Sequence, residues 1–282
     1  MVSDQELSEF NFILKSYTKY DLSDYSEKSL KRRIEKILED YKINFKALLF
    51  KIKSDEEFTE NLIKDITVNT TELFRDPVSW HAIKYKILPK LADKKNINIW
   101  HAGCSTGQEV YSMLILLKET GLYDKANVFA SDINSDVIEF AKKGEYKYRF
   151  NLNYLDNFDE VIKKNPFNFE EYKDVPYEKY FSINKSKDTI VINEELRSKP
   201  IWKVADLVKK QNPFSVNYDI VLCRNVLIYF NISLQNEVVK FFHSQMNEKS
   251  YLILGIHESI FGVNEQYFKK RGKYYIRLNT DN

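Results

Sequence analysis

The stretch INIWHAGCSTGQEVYSMLILLKE, residues 97–119, decides the fold. A short apolar run (INIW) stops at a loop of small residues, Ala102-Gly103-Cys104-Ser105-Thr106-Gly107. The apolar spacing then changes to that of a helix, QEVYSMLILLKET, which Gly121 ends. Strand, small-residue loop and helix in this order describe a ligand-gripping turn at the carboxyl end of a parallel strand. The loop is neither G-x-G-x-x-G nor a Walker loop, which disfavours a dinucleotide-dependent dehydrogenase.

The same texture continues along the chain. NVFASD reads as a second strand, and the helix SDVIEFAKK after it stops at Gly144. DIVLCRN and YLILGIHE are two more buried strand candidates with the helix SLQNEVVKFFHSQM between them, and the tail QYFKKRGKYYIRLN reads as two strands around Arg271-Gly272. Strands and helices in alternation predict a Rossmann-like, doubly wound α/β domain with a mostly parallel sheet. EKYFSINKSKDTIVINEEL, residues 178–196, interrupts the alternation as an antiparallel hairpin with a polar turn at 184–188. Residues 146–173 carry no clear pattern.

Residues 1–66 contain no glycine or proline and show apolar residues at helical spacing throughout, as in LSEFNFILKSY and SLKRRIEKILEDY, with Ser26 placed to cap the second helix. A small helical domain over 1–66, followed by the α/β domain over 67–282, is the predicted organisation.

With 282 residues, 43% hydrophobic and 15% aromatic, the chain is long enough for such a core. Its 43 basic and 41 acidic residues give a net charge of +2, which demands neither nucleic acid nor an anionic membrane as partner. Cys104 and Cys223 lie far apart and read as reduced, small core or site residues of a cytoplasmic protein. The four histidines match no zinc spacing, and no metal is predicted. The opening MVSDQELSEF has no signal-peptide pattern, and no apolar run is long enough to cross a bilayer.

Two acids frame the ligand. Glu109 lies in the first turn of the helix after the loop, where it would repel a pyrophosphate and attract an ammonium group. Asp132 ends the second strand, where an acid commonly accepts hydrogen bonds from ribose hydroxyls. Together they describe S-adenosylmethionine better than NAD. The alternatives are that Glu109 is a helix N-terminal acid favoured by the dipole, and that Asp132 caps the helix that follows.

Four segments then point to one family. ITVNTTELFRDPVSW (66–80), WHAGCSTGQEVYS (100–112), FASDINSDVIEFAKKGEY (129–146) and DIVLCRNVLIYF (219–230) resemble, in order and spacing, the chemotaxis receptor methyltransferase (CheR) family. The resemblance runs through nearly the whole chain, including the helical N-terminal region. It implies S-adenosylmethionine-dependent O-methylation of glutamate side chains on chemoreceptor cytoplasmic helices by a cytoplasmic enzyme, expected as a monomer. By the same resemblance Asn69, Thr71 and Arg75 face the cofactor and substrate, Gly103 lies in the cofactor loop, and Glu109 meets the methionine moiety. Asp132 holds the ribose, Asp206 and Leu207 sit by the adenine, and Asn225 and Val226 line the other side. Arg75 and Tyr229 are the catalytic candidates, while Phe74, Leu227, Ile228 and Phe230 read as core and Arg224 as a structural ion-pair partner. The sequence departs from the family pattern at Gln108, Val110 and Asp206; a carboxylate at 206 only accepts hydrogen bonds, where the family's amide also donates.

For substrate docking, Lys28, Lys31 and Arg32 mark one helix in the N-terminal region, either as a surface for an acidic receptor helix or as a solvated face with Glu/Lys pairs. The hairpin corresponds to the family's small β-subdomain, and its short, glycine-free turn NKSKD points to an enzyme independent of a receptor tail tether. The rival readings are methylation of a non-receptor protein and a methyltransferase-fold signalling adaptor without turnover.

Overall fold

The computed structural model describes residues 1–67, 71–149 and 152–279. It resolves into two compact units, Met1–Val68 with Val226–Glu237, and Asn69–Asn225 with Val238–Asn282.

The first unit is built on α1 (Asp4–Tyr17), α2 (Glu27–Asp40), α3 (Phe45–Ser54) and α4 (Glu56–Ile66). Local capping chemistry starts three of these helices. Ser3 and Glu6 form a reciprocal capping box on α1, Asn44 accepts from Ala47 N at 2.9 Å before α3, and Asp55 accepts from Phe58 N at 2.8 Å before α4. Asp55 thereby splits the long helical pattern of residues 44–66 in two. Ser26 occupies the N-cap position of α2, but its side chain makes no capping bond. Its backbone N–H donates instead to the carbonyl of Tyr229 at 2.8 Å. The core is Phe10, Leu14, Leu30, Ile34, Leu48 and Leu62, all buried. Burying each such side chain contributes about 1.5–3 kcal/mol. Residues 226–237 are laced to the α1–α2 connection: Asn231 N donates to Asp24 O at 2.8 Å, and the Tyr25 and Phe230 rings meet edge-on at 5.3 Å. Leu227 and Phe230 are core, as their apolar character predicts, but Ile228 is 44% exposed.

The second unit opens with α5 (Pro77–Ala82), a π-helical turn (Ile83–Ile87) and α6 (Leu88–Leu91). Then follow β1 (Ile97–Ala102), α7 (Gln108–Glu119), β2 (Ala126–Asp132), α8 (Ser135–Lys143), β3 (Glu145–Lys147) and α9 (Leu152–Phe158). β4 (Phe181–Asn184), β5 (Thr189–Ile192), α10 (Glu194–Ser198), β6 (Ile201–Val204) and β7 (Tyr218–Cys223) come next. α11 (Ile232–Gln245) leads to β8 (Met246–Leu254), β9 (Phe268–Arg271) and β10 (Tyr274–Arg277).

The main sheet has the order β6-β2-β1-β7-β8-β10-β9. Strands β6, β2, β1, β7 and β8 run parallel, and the β9–β10 hairpin adds two antiparallel strands. From β1 the chain moves out to β2 and β6 and returns to β7 on the other side of β1. The order reverses between β1 and β7, and a ligand crevice belongs at their carboxyl ends. α7 is buried nearly all round, with Val110, Met113, Leu114 and Leu117 wholly inaccessible, because an apolar helix in this position is covered on every face. Gly107 precedes it at φ 89°, and a Cβ there would come within 2.8 Å of Ala141 Cβ on α8.

The predicted hairpin is present as β4–β5, with Asp188 in the left-handed region (φ 56°) taking the place of a turn glycine. A third strand, β3, pairs with β5 to complete a small antiparallel sheet. β8 ends at Leu254, so the segment Gly255–Glu258 predicted to extend it lies in the loop beyond. Among the described residues no helix is long and apolar enough to cross a membrane.

Candidate active site

The β1–α7 loop folds over the end of β2. Gly103 N and Cys104 N both donate to the carbonyl of Ser131, at 2.9 and 3.0 Å. Ser105 takes a left-handed conformation (φ 49°), and its N–H reaches Asp132 Oδ2 at 2.9 Å. The other carboxylate oxygen of Asp132 accepts from Asn134 N at 3.0 Å. Burial pushes the Asp132 carboxyl up from its ordinary range, while the N–H groups of Asn134, Ser105 and Ile133 work against the rise. Asp132 is not the cap of α8; that position belongs to Asn134, whose side chain accepts from Asp136 N. Ala205 N donates to Asp132 O at 2.8 Å, which brings Asp206 to the same edge, where its carboxylate caps the short 3-10 turn Leu207–Lys209. Gly103, Asp132, Asp206 and Leu207 therefore share one sheet edge.

Glu109, in the first turn of α7, does more than answer a helix dipole. His101 Nδ1 lies 2.8 Å from its Oε1, and Arg224 Nη1 donates to its Oε2 at 3.2 Å. Burial works to raise the Glu109 carboxyl, but the His101 and Arg224 contacts outweigh it and hold it below the usual range. Arg224, whose side chain is 2% exposed, also donates through Nη2 to Asp76 Oδ2 at 2.9 Å and to the Arg75 carbonyl at 2.7 Å. Its guanidinium lies over the Trp80 ring, 5.7 Å from the centroid. It is thus an ion-pair partner, one of the readings that the sequence leaves open for it. Glu109, Asp76 and Asp132 thus bring three carboxylates to this part of the sheet beside Arg224 and His101. Such a crevice suits a ligand carrying positive charge.

The segment Thr71–Asp76 is fixed mainly through its backbone. Phe74 (φ 52°) donates its N–H to Ser112 Oγ at 2.7 Å, Asn157 Nδ2 reaches Leu73 O at 3.2 Å, and Trp80 Nε1 reaches Arg75 O at 3.0 Å. Phe74 is buried as predicted, edge-on to Trp80 and Phe158. Non-glycine residues at positive φ gather here (Phe74, Asp76, Ser105, Asn225), as they do where neighbours over-determine a strained backbone at a site. The Arg75 guanidinium is half-exposed and has no hydrogen bond or ion pair among the described residues. Thr71 is half-exposed and engaged. Asn69 lies outside the described residues.

Asn225 sits just beyond β7 at φ 59°, with its N–H on Glu258 Oε2 at 2.8 Å. Val226 and Tyr229 belong to the first unit; the Tyr229 N–H donates to Val226 O at 3.1 Å.

Two family models cover the chain. The CheR methyltransferase SAM-binding domain matches residues 69–276, and the CheR methyltransferase all-alpha domain matches residues 5–67. The chain belongs to the CheR methyltransferase family. It is an S-adenosylmethionine-dependent methyltransferase fold of the chemotaxis group. A chemotaxis protein methyltransferase of Campylobacter jejuni is 30% identical over 281 residues, 98% of this chain and 97% of its own. One from Borreliella burgdorferi is 30% identical over 240 residues, 76% of this chain and 78% of its own. The Cher3 protein of Pseudomonas putida is 32% identical over 243 residues, 86% and 84% of the two chains.

The residues of this CheR chain fit the cofactor. Ser105 Oγ, in the β1–α7 loop, and Asn225 Oδ1, just beyond β7, are buried polar atoms without a hydrogen-bond partner among the described residues. Buried polar groups are normally paired, so such atoms suit a ligand's donors. Sequence reasoning missed His101, Asp76, Ser112 and Glu258. Asp76 carried a signal, as a carboxylate directly before a helix-opening proline. His101 and Glu258 carried none: the His101 contact needs the fold of the β1–α7 loop, and Glu258 meets Asn225 across 33 residues. Among the described residues no cluster suited to a metal ion occurs.

Proposed function

We propose that this CheR chain methylates glutamate side chains on chemoreceptor cytoplasmic helices, forming glutamyl methyl esters in the cytoplasm. The observation that supports the reading is the engaged state of the acids in this cluster. Asp76, Glu109 and Asp132 are each already engaged by donors, and His101 is sealed from solvent against Glu109. In this reading none of them has to take a proton, because the acceptor arrives already ionised. A glutamate side chain, with an unperturbed pKa of about 4.3, meets that condition at neutral pH. The names of the Campylobacter and Borreliella relatives, chemotaxis protein methyltransferases, support a chemoreceptor as the acceptor's bearer.

The bound cofactor supplies a methyl group on a sulfonium, a leaving group that needs no acid. The protein's part is binding, orientation and exclusion of water. In this reading Glu109 receives the ammonium, Asp132 the ribose hydroxyls, and Asp206 and Leu207 the adenine. Gly103 lets the backbone approach, while Asn69, Thr71, Asn225 and Val226 complete the lining. Arg75, whose guanidinium has no partner among the described residues, holds the carboxylate oxygen that does not attack. It must hold it loosely, since neutralising the nucleophile in the ground state would slow transfer. Tyr229 is a second candidate for that task through its hydroxyl.

The test is to incubate the protein with methyl-labelled S-adenosylmethionine and membranes from its own source, then treat the proteins with mild alkali. Release of labelled methanol is expected from a receptor-sized band. Alkali-stable label would place the methyl on nitrogen or another atom and reject the ester. Bound cofactor with no label on any protein would instead favour an adaptor without turnover.

A further inference from the structure

β7 and β8 are parallel neighbours whose ladder ends at the pair Cys223–Leu254. Beyond that pair the two chains part, and a single carboxylate oxygen joins them. Glu258 Oε2 accepts the N–H of Gly255 at 2.7 Å and the N–H of Asn225 at 2.8 Å. The Glu258 N–H in turn donates to Gly255 O at 3.0 Å, closing a tight turn that returns the carboxylate to the strand ends. The residue is 8% exposed.

The space around this oxygen is fully used. A Cβ on Gly255 would lie 2.7 Å from Glu258 Oε2 and 3.0 Å from both the backbone N and the side-chain Nδ2 of Asn225. Only glycine permits the approach. Asn225 is also held at φ 59°, a region that non-glycine residues seldom occupy unless neighbours impose it. Its Oδ1 is buried and without a partner among the described residues. The constraint on the backbone and the unspent side-chain oxygen belong to the same residue.

We propose that Glu258 is a positioning residue: by capturing the Asn225 N–H against Gly255, it holds the Asn225 amide in the orientation that receives the cofactor. The proposal rests on Asn225 lining the cofactor crevice, as the proposed function has it. Glu258 acts through Asn225 and touches neither cofactor nor substrate.

The experiment is calorimetric titration of the full chain with S-adenosylhomocysteine, with thermal unfolding of each variant as control. Glu258→Ala is expected to weaken binding about tenfold, since a buried N–H loses its acceptor. Glu258→Gln retains an oxygen able to accept the same bonds and is expected to stay within about threefold of the parent. Asn225→Ala is expected to weaken binding by itself. Adding Glu258→Ala to Asn225→Ala is then expected to cost less than about a further twofold, the non-additivity of residues that act together. If Glu258→Ala does not fold, Glu258→Asp, which withdraws the oxygen by one methylene, takes its place in the same cycle.

The proposal is overturned if the loss from Glu258→Ala persists in full without the Asn225 side chain, or if Glu258→Ala binds like the parent. Unchanged binding by Asn225→Ala alone would also overturn it, and would place the fault in the assignment of Asn225 to the crevice.

Discussion

Arg224 Nη1 meets Glu109 Oε2 at 3.2 Å across 115 residues of sequence, tying the end of β7 to the first turn of α7. The same guanidinium grips Asp76 and the Arg75 carbonyl, so three chain segments converge on one cation. Replacing Arg224 by Met takes the arginine away from both the Glu109 and Asp76 carboxylates. A broken buried pair of this kind costs about 3–5 kcal/mol. Urea unfolding of Arg224→Met is expected to show that loss, and a change below about 1 kcal/mol would mean the cluster relaxes without its arginine.

Asp132→Ala tests the ribose assignment. The carboxylate already accepts two backbone N–H groups, and ribose hydroxyls would use its remaining lone pairs. Hydrogen bonds to a charged group contribute about 1.5–3 kcal/mol each, so a loss of at least about tenfold in cofactor affinity is expected by calorimetry. Parent-like affinity would remove Asp132 from the site.

Arg75→Ala separates binding from transfer. The backbone of this residue is anchored by Trp80 and Arg224 through its carbonyl, which the substitution leaves in place. Cofactor affinity is therefore expected to change little, while methyl transfer falls by about a hundredfold, typical for removing one preorganised charged donor. Turnover at the parent rate would assign the orienting role elsewhere, with Tyr229 the next to replace.

Glu119 ends α7 with its side chain 2% exposed, against Lys173, Lys179 and the Tyr180 hydroxyl. Burial opposes its ionisation, but those partners prevail and bring its pKa down to about 2 from an ordinary 4.5. A carboxyl depressed on folding stabilises the native state fully above its unfolded value. That contribution disappears as pH falls from about 4.5 towards about 2. Glu119→Gln is expected to flatten the acid limb of stability over this window. Superimposable acid limbs for the two proteins, followed by circular dichroism, would contradict the assignment.

The elements that sequence makes legible are those whose chemistry is local. Residues 97–132 announce strand, small-residue loop, helix and strand, and Asp132 stands where the turn needs an acid. β6 has no such signal, because four residues of an edge strand with Ile201 and Val204 half exposed to solvent have no buried face to alternate. β3 is shorter still and is defined only by its pairing with β5. The site is legible as a set of residue types and illegible as a network. Nothing in WHAG shows that His101 meets Glu109, which needs the loop to fold α7 back on β1, and nothing in GIHE shows that Glu258 reaches back to Asn225, a bond that exists only once β7 and β8 align. Ile228 errs the other way, an apolar residue in an apolar run that folding leaves at the surface.

The basic face of α2 divides on inspection. Lys31 is paired with Asp4, whereas Lys28 and Arg32, one helical turn apart, are both exposed. If α2 receives an acidic receptor helix, the exposed cations carry the attraction, and Lys31 must first leave its partner, a surface pair worth at most about 1 kcal/mol. Charge reversal at Lys28 and Arg32 is expected to slow methylation of receptor helices by about tenfold at low salt, with the deficit shrinking as salt screens it. Lys31→Glu is expected to slow it less, and cofactor affinity should not respond to any of these changes. Unaltered rates at low salt would return α2 to a solvated face. A receptor tail peptide is expected not to bind beside β4 and β5, whose turn is short and closed by Asp188 in a left-handed conformation. Measurable peptide binding would move receptor capture from the charge on α2 to the small sheet.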